Sequence, residues 1–355
     1  MDTGRRTGES TGVGASPTLE DVARRAGVSR ATVSRVVNGV RNVDPDIAQA
    51  VQQAVTATGY VPNRAARSLV TRRSGTVALV ISGADSRSAG ARDEFAAGVF
   101  QDPFFGRVVS GVVRALRPKG MHPLLMFADN AEDRAEVVAH LTQGSADGAL
   151  LVTTRPRDPL PGVLAAARLP AVLFARPPAG VLLDHVDVRH REGGSLAARH
   201  LQALGRGRLV AIGGPAALPA SRERVAGFRE AARGGEVRVA EGDFTLDGGE
   251  RAMRSLLAEQ PALDGVFAAN DLMAQGACLV LREHGRRIPD DVAVVGFDDS
   301  GAAAACRPRL TTVRQPVEDM AAEMVRLLLH RVAGASDTGP ASVLFAPHLV
   351  VRDSA

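Results

Sequence analysis

The sequence predicts two architectures in one chain: a small all-α unit at the N-terminus, then a two-lobed α/β domain built on parallel sheets. Two patterns carry the prediction. Three short helical patterns succeed one another between Leu19 and Gly59, and from Thr76 onward short Val/Ala/Leu strands alternate with amphipathic helices. Such βα alternation folds into parallel strands flanked by helices, and the strands here are too many for one lobe.

Composition bounds the rest. With 355 residues, 45% of them hydrophobic, the chain can bury a sizeable core; with 3% aromatics and no Trp, that core must be built from Val, Leu and Ala. Residues 1–17 are polar and Gly/Ser/Thr-rich, which reads as a disordered tail without the apolar segment of an export signal. No apolar run reaches membrane-spanning length, so a cytoplasmic protein is expected. Cys278 and Cys306 lack a second Cys or a His at metal-ligand spacing and read as buried structural thiols; neither a metal nor a cofactor is expected. Net charge is +4, but residues 1–73 hold eleven Arg against six Asp and Glu, which is +5 and leaves −1 for the remainder. A basic N-terminal unit suits an anionic partner.

The first helix sets Leu19, Val22, Ala23 and Ala26 on one apolar stripe, with Thr18 as N-cap and Asp21 as the acid of a capping box. Gly27 supplies the left-handed turn that stops it. Ser29 caps a second helix that buries Val33, Val36 and Val37, leaving Arg30, Ala31, Ser34, Arg35 and Asn38 on one continuous face. Two helices around a tight corner, the second presenting Arg, Ser and Asn, suit the DNA major groove: Arg bonds bidentately to guanine, and Ser and Asn hold phosphates. The same pattern also fits an ordinary pair of packed surface helices. Asp44-Pro45 opens a third helix with Ile47, Val51, Ala54 and Val55 on its apolar stripe, and Gly59 ends it.

Tyr60-Val61-Pro62-Asn63 leads into RAARSL, which is too short to hold a helix alone in water. On docking, Leu69 could part a base step while Arg64 and Arg67 follow the minor groove; the alternative is a linker whose Leu69 tucks into the next domain.

TLEDVARRAGVSRATVSRVVNG followed by GYVPNRAARSL resembles the DNA-binding headpiece and hinge helix of the LacI/GalR family of bacterial repressors, over residues 18–70. The resemblance implies a tail at 1–17, a helix-turn-helix headpiece at 18–61, a hinge helix and linker at 62–73, and a periplasmic-binding-protein-like domain at 74–355 for effector binding and dimerisation. It assigns DNA contact to Ser29, Arg30, Ala31, Thr32, Ser34, Arg35, Asn38, Asn63, Arg64 and Leu69. Ala31 stands where relatives often carry a longer reader, which puts the weight of base contact on Arg30 and Arg35.

In the α/β part, ligands bind beyond the carboxyl ends of strands. The strands expected there are 77–81, 123–127, 149–152, 171–174, 209–212, 237–240, 266–268 and 292–295, with a last strand and short tail in APHLVVRDSA, and helices at 105–116, 131–141, 193–204, 222–232, 248–258, 272–284 and 317–332. SRERVAGF resembles the family segment whose arginine, here Arg224, reaches the effector; NDLMAQGA matches at Asn270 and VVGFDDS at Asp298. GDF places Phe244, and DPFF places Phe104 and Phe105, where relatives have aromatic walls. An Arg donor, an Asp acceptor, an Asn that does both and flat apolar rings suit a sugar or a base. At VDVRHREGG, Arg189-His190 replaces the family's Asp-Asn; if these side chains face the cleft, an anionic effector gains ground over a neutral sugar. Between Ile81 and Pro103 lies a polar insertion, read as a lid or as disorder. His185, His190 and His200 are scattered and read as surface or capping residues.

The implied function is a ligand-responsive repressor that binds a palindromic operator as a homodimer and answers to a small metabolite, a sugar or sugar derivative, as inducer or corepressor. The competing reading is a cytosolic binding protein or enzyme on the same two-lobed fold without regulatory DNA binding; no nucleophile with its base, no metal-spaced set and no nucleotide loop supports the enzyme.

Overall fold

The computed structural model describes residues 17–37, 43–61, 73–83, 89–155, 157–233, 235–334 and 339–355. The chain divides into two compact units, Met1–Ser74 and Gly75–Ala355.

In the first unit, α1 (Leu19–Ala26), α2 (Arg30–Val37) and α3 (Pro45–Thr58) close on a core of Val22, Ala23, Val33, Val51 and Ala54. The ends are built as the sequence dictates. Thr18 Oγ1 accepts the Asp21 N–H while Asp21 accepts the Thr18 N–H at 2.9 Å, and Gly27 takes φ 68°. Ser29 Oγ accepts the Thr32 N–H at 3.1 Å, and Asp44 Oδ1 accepts from Asp46 and Ile47 ahead of Pro45. Val33 is fully buried, whereas Val36 and Val37 are half-buried at the rim of the same core.

The second unit contains two six-stranded sheets. The first runs β11-β5-β4-β3-β1-β2, all parallel, with β1 (Thr76–Ser82), β2 (His122–Ala128), β3 (Ala149–Thr153), β4 (Ala171–Phe174), β5 (Asp184–Val188) and β11 (Ser342–Phe345). The second runs β12-β10-β9-β8-β6-β7, with β6 (Leu209–Gly213), β7 (Arg238–Glu241), β8 (Gly265–Ala268), β9 (Ala293–Asp298), β10 (Thr311–Arg314) and an antiparallel edge, β12 (His348–Val350). Helices α4 (Ala89–Gln101), α5 (Pro103–Leu116), α6 (Ala131–Thr142), α7 (Leu160–Ala166) and α13 (Val317–Val332) belong with the first sheet; α8 (His190–Ala203), α9 (Pro219–Ala231), α10 (Leu246–Glu259), α11 (Asp271–Glu283) and the short α12 (Gly301–Ala305) belong with the second. Residues of β1 face two cores in alternation, Val77 and Leu79 one and Ala78 and Val80 the other, so the strand reads as one apolar run. The chain passes between lobes at β5–α8, β10–α13 and β11–β12.

Three strands depart from the sequence expectation, β5, β10 and β11, whereas β12 falls within the last strand expected in APHLVVRDSA. Those three are short and polar, and tertiary contacts override their weak pattern. Asp184 of β5, for example, receives both Nε and Nη2 of Arg331 at 2.7 Å and the Ala341 N–H at 2.7 Å. The insertion after Ile81 carries a helix, α4, in place of pure disorder; Phe95 and Phe100 meet the ring of Phe127 edge-on at 6.1 and 5.8 Å. Residues 84–88 lie outside the described residues. The short helices α7 and α12 also lie in stretches where no helix was expected.

Candidate effector cleft and DNA-reading face

In the N-terminal unit, Ser29, Arg30, Ala31 and Arg35 are exposed, and Thr32 and Ser34 are half-exposed. They belong to α2 and its cap, with Val33 turned inward. The Thr32 hydroxyl is engaged with Ser29 Oγ at 2.9 Å, so its first duty is the cap. Arg30 pairs with Glu20 of α1 at 3.0 Å, both side chains more than half exposed, a contact worth about 0–1 kcal/mol that an incoming base or phosphate can displace. Asn38, Asn63, Arg64 and Leu69 lie outside the described residues.

In the second unit, the ends of β5, β8 and β9 converge on Arg224, which α9 carries. This arginine is 5% exposed. Its Nη1 donates to the Ala269 carbonyl at 2.6 Å and reaches Asp298 Oδ1 at 3.4 Å; its Nε donates to His190 Nδ1 at 3.2 Å; its guanidinium carbon lies 3.8 Å from the centre of the Phe297 ring. Asp298 also accepts from Gln315 Nε2 at 2.6 Å. Burial pushes the Asp298 carboxyl up to about 8; Arg224 works against that, Asp271 and Asp102 add to it, and Arg107 opposes it. Asp102 comes from the other lobe, where it caps α5 by accepting the Phe104 N–H at 2.9 Å, and burial raises its pKa against the pull of Phe104 N–H and Arg224. Burial lowers the Arg224 pKa, while Asp298, Asp187, Asp271 and Asp102 hold it up.

Strain marks the same rim. Ala175 after β4, Phe244 after β7 and Asp298 at the end of β9 take φ 90°, 67° and 109° without being glycine, each at a cost of about 1–3 kcal/mol. Asn270 is buried: Oδ1 caps α11 by accepting the Met273 N–H, and Nδ2 donates one hydrogen to the Phe244 carbonyl at 2.8 Å, which ties the left-handed Phe244 to the start of α11. Phe104 packs edge-on against Phe105 and Phe174 at 5.2 Å each, so both phenylalanines of α5 sit half-buried at the border of the first lobe's core.

Arg189 stands at the N-cap position of α8, where its side chain is 55% exposed and pairs with Glu192 at 3.5 Å. His190, expected at the surface, is the residue that turns inward, its side chain 10% exposed between Asp187 and Arg224. Sequence reasoning also missed Asp102, Arg107, Asp187 and Gln315; Asp102 was the most legible, since Asp-Pro-Phe-Phe after a strand is a cap signal ahead of α5. A broad depression of about 510 Å3 on the outer flank of α9, lined by Gly213, Gly214, Arg222, Val225 and Glu241, has its charged groups exposed and lacks the convergent buried pairs of the Arg224 cluster.

The class is thus a two-lobed ligand-binding protein that carries a helix-turn-helix unit. Residues 18–63 match the model of bacterial regulatory proteins of the lacI family, and residues 198–355 match the periplasmic binding protein-like domain. The chain is 43% identical over 346 residues to the HTH-type transcriptional regulator CelR of Thermobifida fusca, which covers 95% of this chain and 98% of that one. Among solved structures, a CelR–cellobiose complex superimposes with TM-score 0.70 at 41% identity, covering 96% of this chain and 100% of that one. The lac repressor dimer bound to operator and the anti-inducer ONPF superimposes with TM-score 0.78 at 26% identity, covering 95% and 98%. The chain belongs to the lacI family: it is a DNA-binding transcriptional regulator with an effector domain. The alternative of a cleft protein without regulatory DNA binding finds no support among these relatives.

Proposed function

We propose that the protein is a repressor that holds a palindromic operator as a homodimer and releases or grips it when a sugar or sugar derivative enters the cleft between the lobes. The observation that supports this best is the buried Arg224–Asp298 pair, braced by Ala269, Gln315 and Phe297. It offers a donor and an acceptor to vicinal hydroxyls beside an aromatic face. Phe104, Phe105 and Phe244 supply further apolar walls, and Asn270 and Arg189 add polar contacts to the effector. On the DNA side, Ser29, Arg30, Ala31, Thr32, Ser34, Arg35 and Asn38 meet the major groove, Asn63 and Arg64 hold the backbone near the operator centre, and Leu69 wedges the central step. Two α2 helices related by a two-fold axis read two half-sites. The site lies against the β5–α8 and β10–α13 crossings, so a ligand that re-angles the lobes shifts the population of DNA-competent dimers. The protein works in the cytoplasm, where its DNA is, and returns the sugar unchanged.

Cellobiose is the first ligand to test, because the CelR relative is solved with it. Thermal melts of the full chain with cellobiose, longer β-linked glucans, glucose and ribose should show one class stabilising by about 2.7 kcal/mol at 100 times its dissociation constant. Arg224→Ala and Asp298→Ala should abolish the shift, and operator affinity measured with the same ligand should change. Stabilisation that survives both substitutions, or that leaves operator binding unmoved, would overturn the reading.

A further inference from the structure

The first residue of α8 sits on the passage between the lobes and faces inward, although the residue before it faces solvent. His190 Nδ1 lies 3.2 Å from Arg224 Nε, and its Nε2 lies 3.1 Å from Asp187 Oδ1. An arginine Nε carries only a hydrogen, so Nδ1 must be the acceptor, and the proton of the neutral ring then sits on Nε2, aimed at the carboxylate. Asp187 is itself held by the Val188 N–H on its Oδ1 at 2.8 Å and by the Arg176 N–H. The groups around the imidazole are Asp187 at the end of β5, Arg224 and Glu223 on α9, and the Phe297 ring of β9 at 6.2 Å between centroids.

We propose that His190 is a positioning residue of the effector site: as a neutral Nε2–H imidazole it carries the hold of Asp187 through to Arg224, fixes the aim of the guanidinium, and ties it to the β5–α8 crossing between the lobes. The inference rests on reading Arg224 as the group that meets the effector. Burial, the largest influence on the ring, favours its neutral form, as does Arg224; the bond and charge of Asp187 and the charge of Glu223 oppose them. A second proton would have to enter at Nδ1, directly against the Arg224 Nε–H, so the imidazolium and the bond to Arg224 exclude each other.

The two ring nitrogens can be replaced one at a time. An Asn at position 190 sets a carbonyl oxygen near the place of Nδ1 and keeps an acceptor for Arg224, whereas a Gln reaches the place of Nε2 and keeps a donor for Asp187. With cellobiose as probe in calorimetric titration, His190→Asn and His190→Gln each cut one end of the relay and should each weaken binding about tenfold, and Asp187→Asn, which removes the carboxylate that holds the ring, should do the same. Full affinity in His190→Asn or Asp187→Asn, or losses in melting temperature without loss of affinity, would assign His190 a packing role and overturn the proposal. A second measurement needs no ligand: long-range 15N–1H spectra of the 15N-histidine-labelled full chain, assigned with His190→Asn, should show an unprotonated Nδ1 and a protonated Nε2 from pH 6 to pH 8. A protonated Nδ1 in that window overturns the proposal whether or not cellobiose binds. The correct tautomer with no cellobiose response leaves the relay standing and rejects the ligand reading.

Discussion

Arg107 Nη1 of α5, a first-lobe helix, donates a 2.6 Å hydrogen bond to the backbone carbonyl of Asp298, the left-handed residue that ends β9 in the second lobe. The same guanidinium holds Glu318 of α13 bidentately, through Nε at 2.7 Å and Nη2 at 2.8 Å, and donates to the Gln315 carbonyl at 3.1 Å on the β10–α13 crossing. One side chain therefore joins both lobes and a crossing, directly behind the Asp298 carboxyl group. Its pKa is raised: burial works against it, and Glu318, Asp298 and Asp299 more than compensate.

Arg107→Ala should therefore cost stability and coupling together. The substitution strands a partly buried carboxylate and two carbonyls, for a loss of about 2–3 kcal/mol in chemical denaturation. The difference in operator affinity with and without effector should shrink. Arg107→Lys keeps the charge without the planar fork and should fall between the two. A variant with unchanged effector response would show that the latch is structural only.

Asp298 gives the molecule a pH signature. Its folded pKa is raised to about 8, whereas an unfolded carboxyl sits near 4. The stability tied to its neutral form is fully present below about pH 4 and is lost progressively as pH rises toward and through 8, at no more than roughly 1.4 kcal/mol per pH unit. Asp298→Asn cannot ionise, so its melting temperature relative to the unsubstituted protein should climb between pH 5 and pH 8 and then level off. A difference that stays flat across that window would mean that attraction to Arg224 outweighs burial and keeps Asp298 ionised throughout.

How far the sequence could be read depends on which forces set each feature. α1 to α3 follow from caps and apolar stripes that are local, and Thr18, Ser29 and Asp44 act as their positions suggest. The interior strands β1, β3, β4, β6 and β8 announce themselves because both faces are buried. β5 does not, since Asp184 and Asp187 look wrong for a strand until Arg331, 147 residues further on, satisfies the first and His190, three residues on at the start of α8, satisfies the second. Arg224 and Asp298 were legible through family resemblance; that Arg189 turns out while His190 turns in depends on the helical phase at the start of α8, which pattern alone leaves open. The positive φ of Phe244 and Asp298 has no local signature, because neither is a glycine or an asparagine.

The exposed ion pair Arg30–Glu20 predicts a clean separation on the DNA side. On an operator selected from a random library, Arg30→Ala should lose about 1–3 kcal/mol of affinity and relax preference at one base pair per half-site. Glu20→Gln, which only frees Arg30, should leave that preference intact. Equal discrimination by Arg30→Ala and the unsubstituted protein, measured by competition with mutated operators, would remove Arg30 from base reading.

The contact between α8 and α9 makes the sharpest packing prediction, because it carries Arg224. A Cβ added at Gly194 would fall 1.9 Å from the Arg224 carbonyl oxygen, and one at Gly227 would fall 1.9 Å from the Arg191 carbonyl oxygen. Both obstacles are backbone, so no side chain can swing aside. Gly194→Ala or Gly227→Ala must push the helices apart, at a cost of about 1–3 kcal/mol or more. The displacement also withdraws Arg224 from Ala269 and Asp298. Exposed pairs between the same helices, Arg191 with Glu223 at 2.9 Å and with Glu230, should be dispensable by comparison, and Arg191→Ala should lose less stability than either glycine substitution. Denaturant midpoints for the three variants, set beside their affinities for whichever sugar stabilises the unsubstituted protein, separate the outcomes. Loss of binding in the glycine variants at temperatures where they remain folded would show that the helix contact aims Arg224, while full affinity in a folded Gly194→Ala variant would show that α9 can shift without disturbing the site.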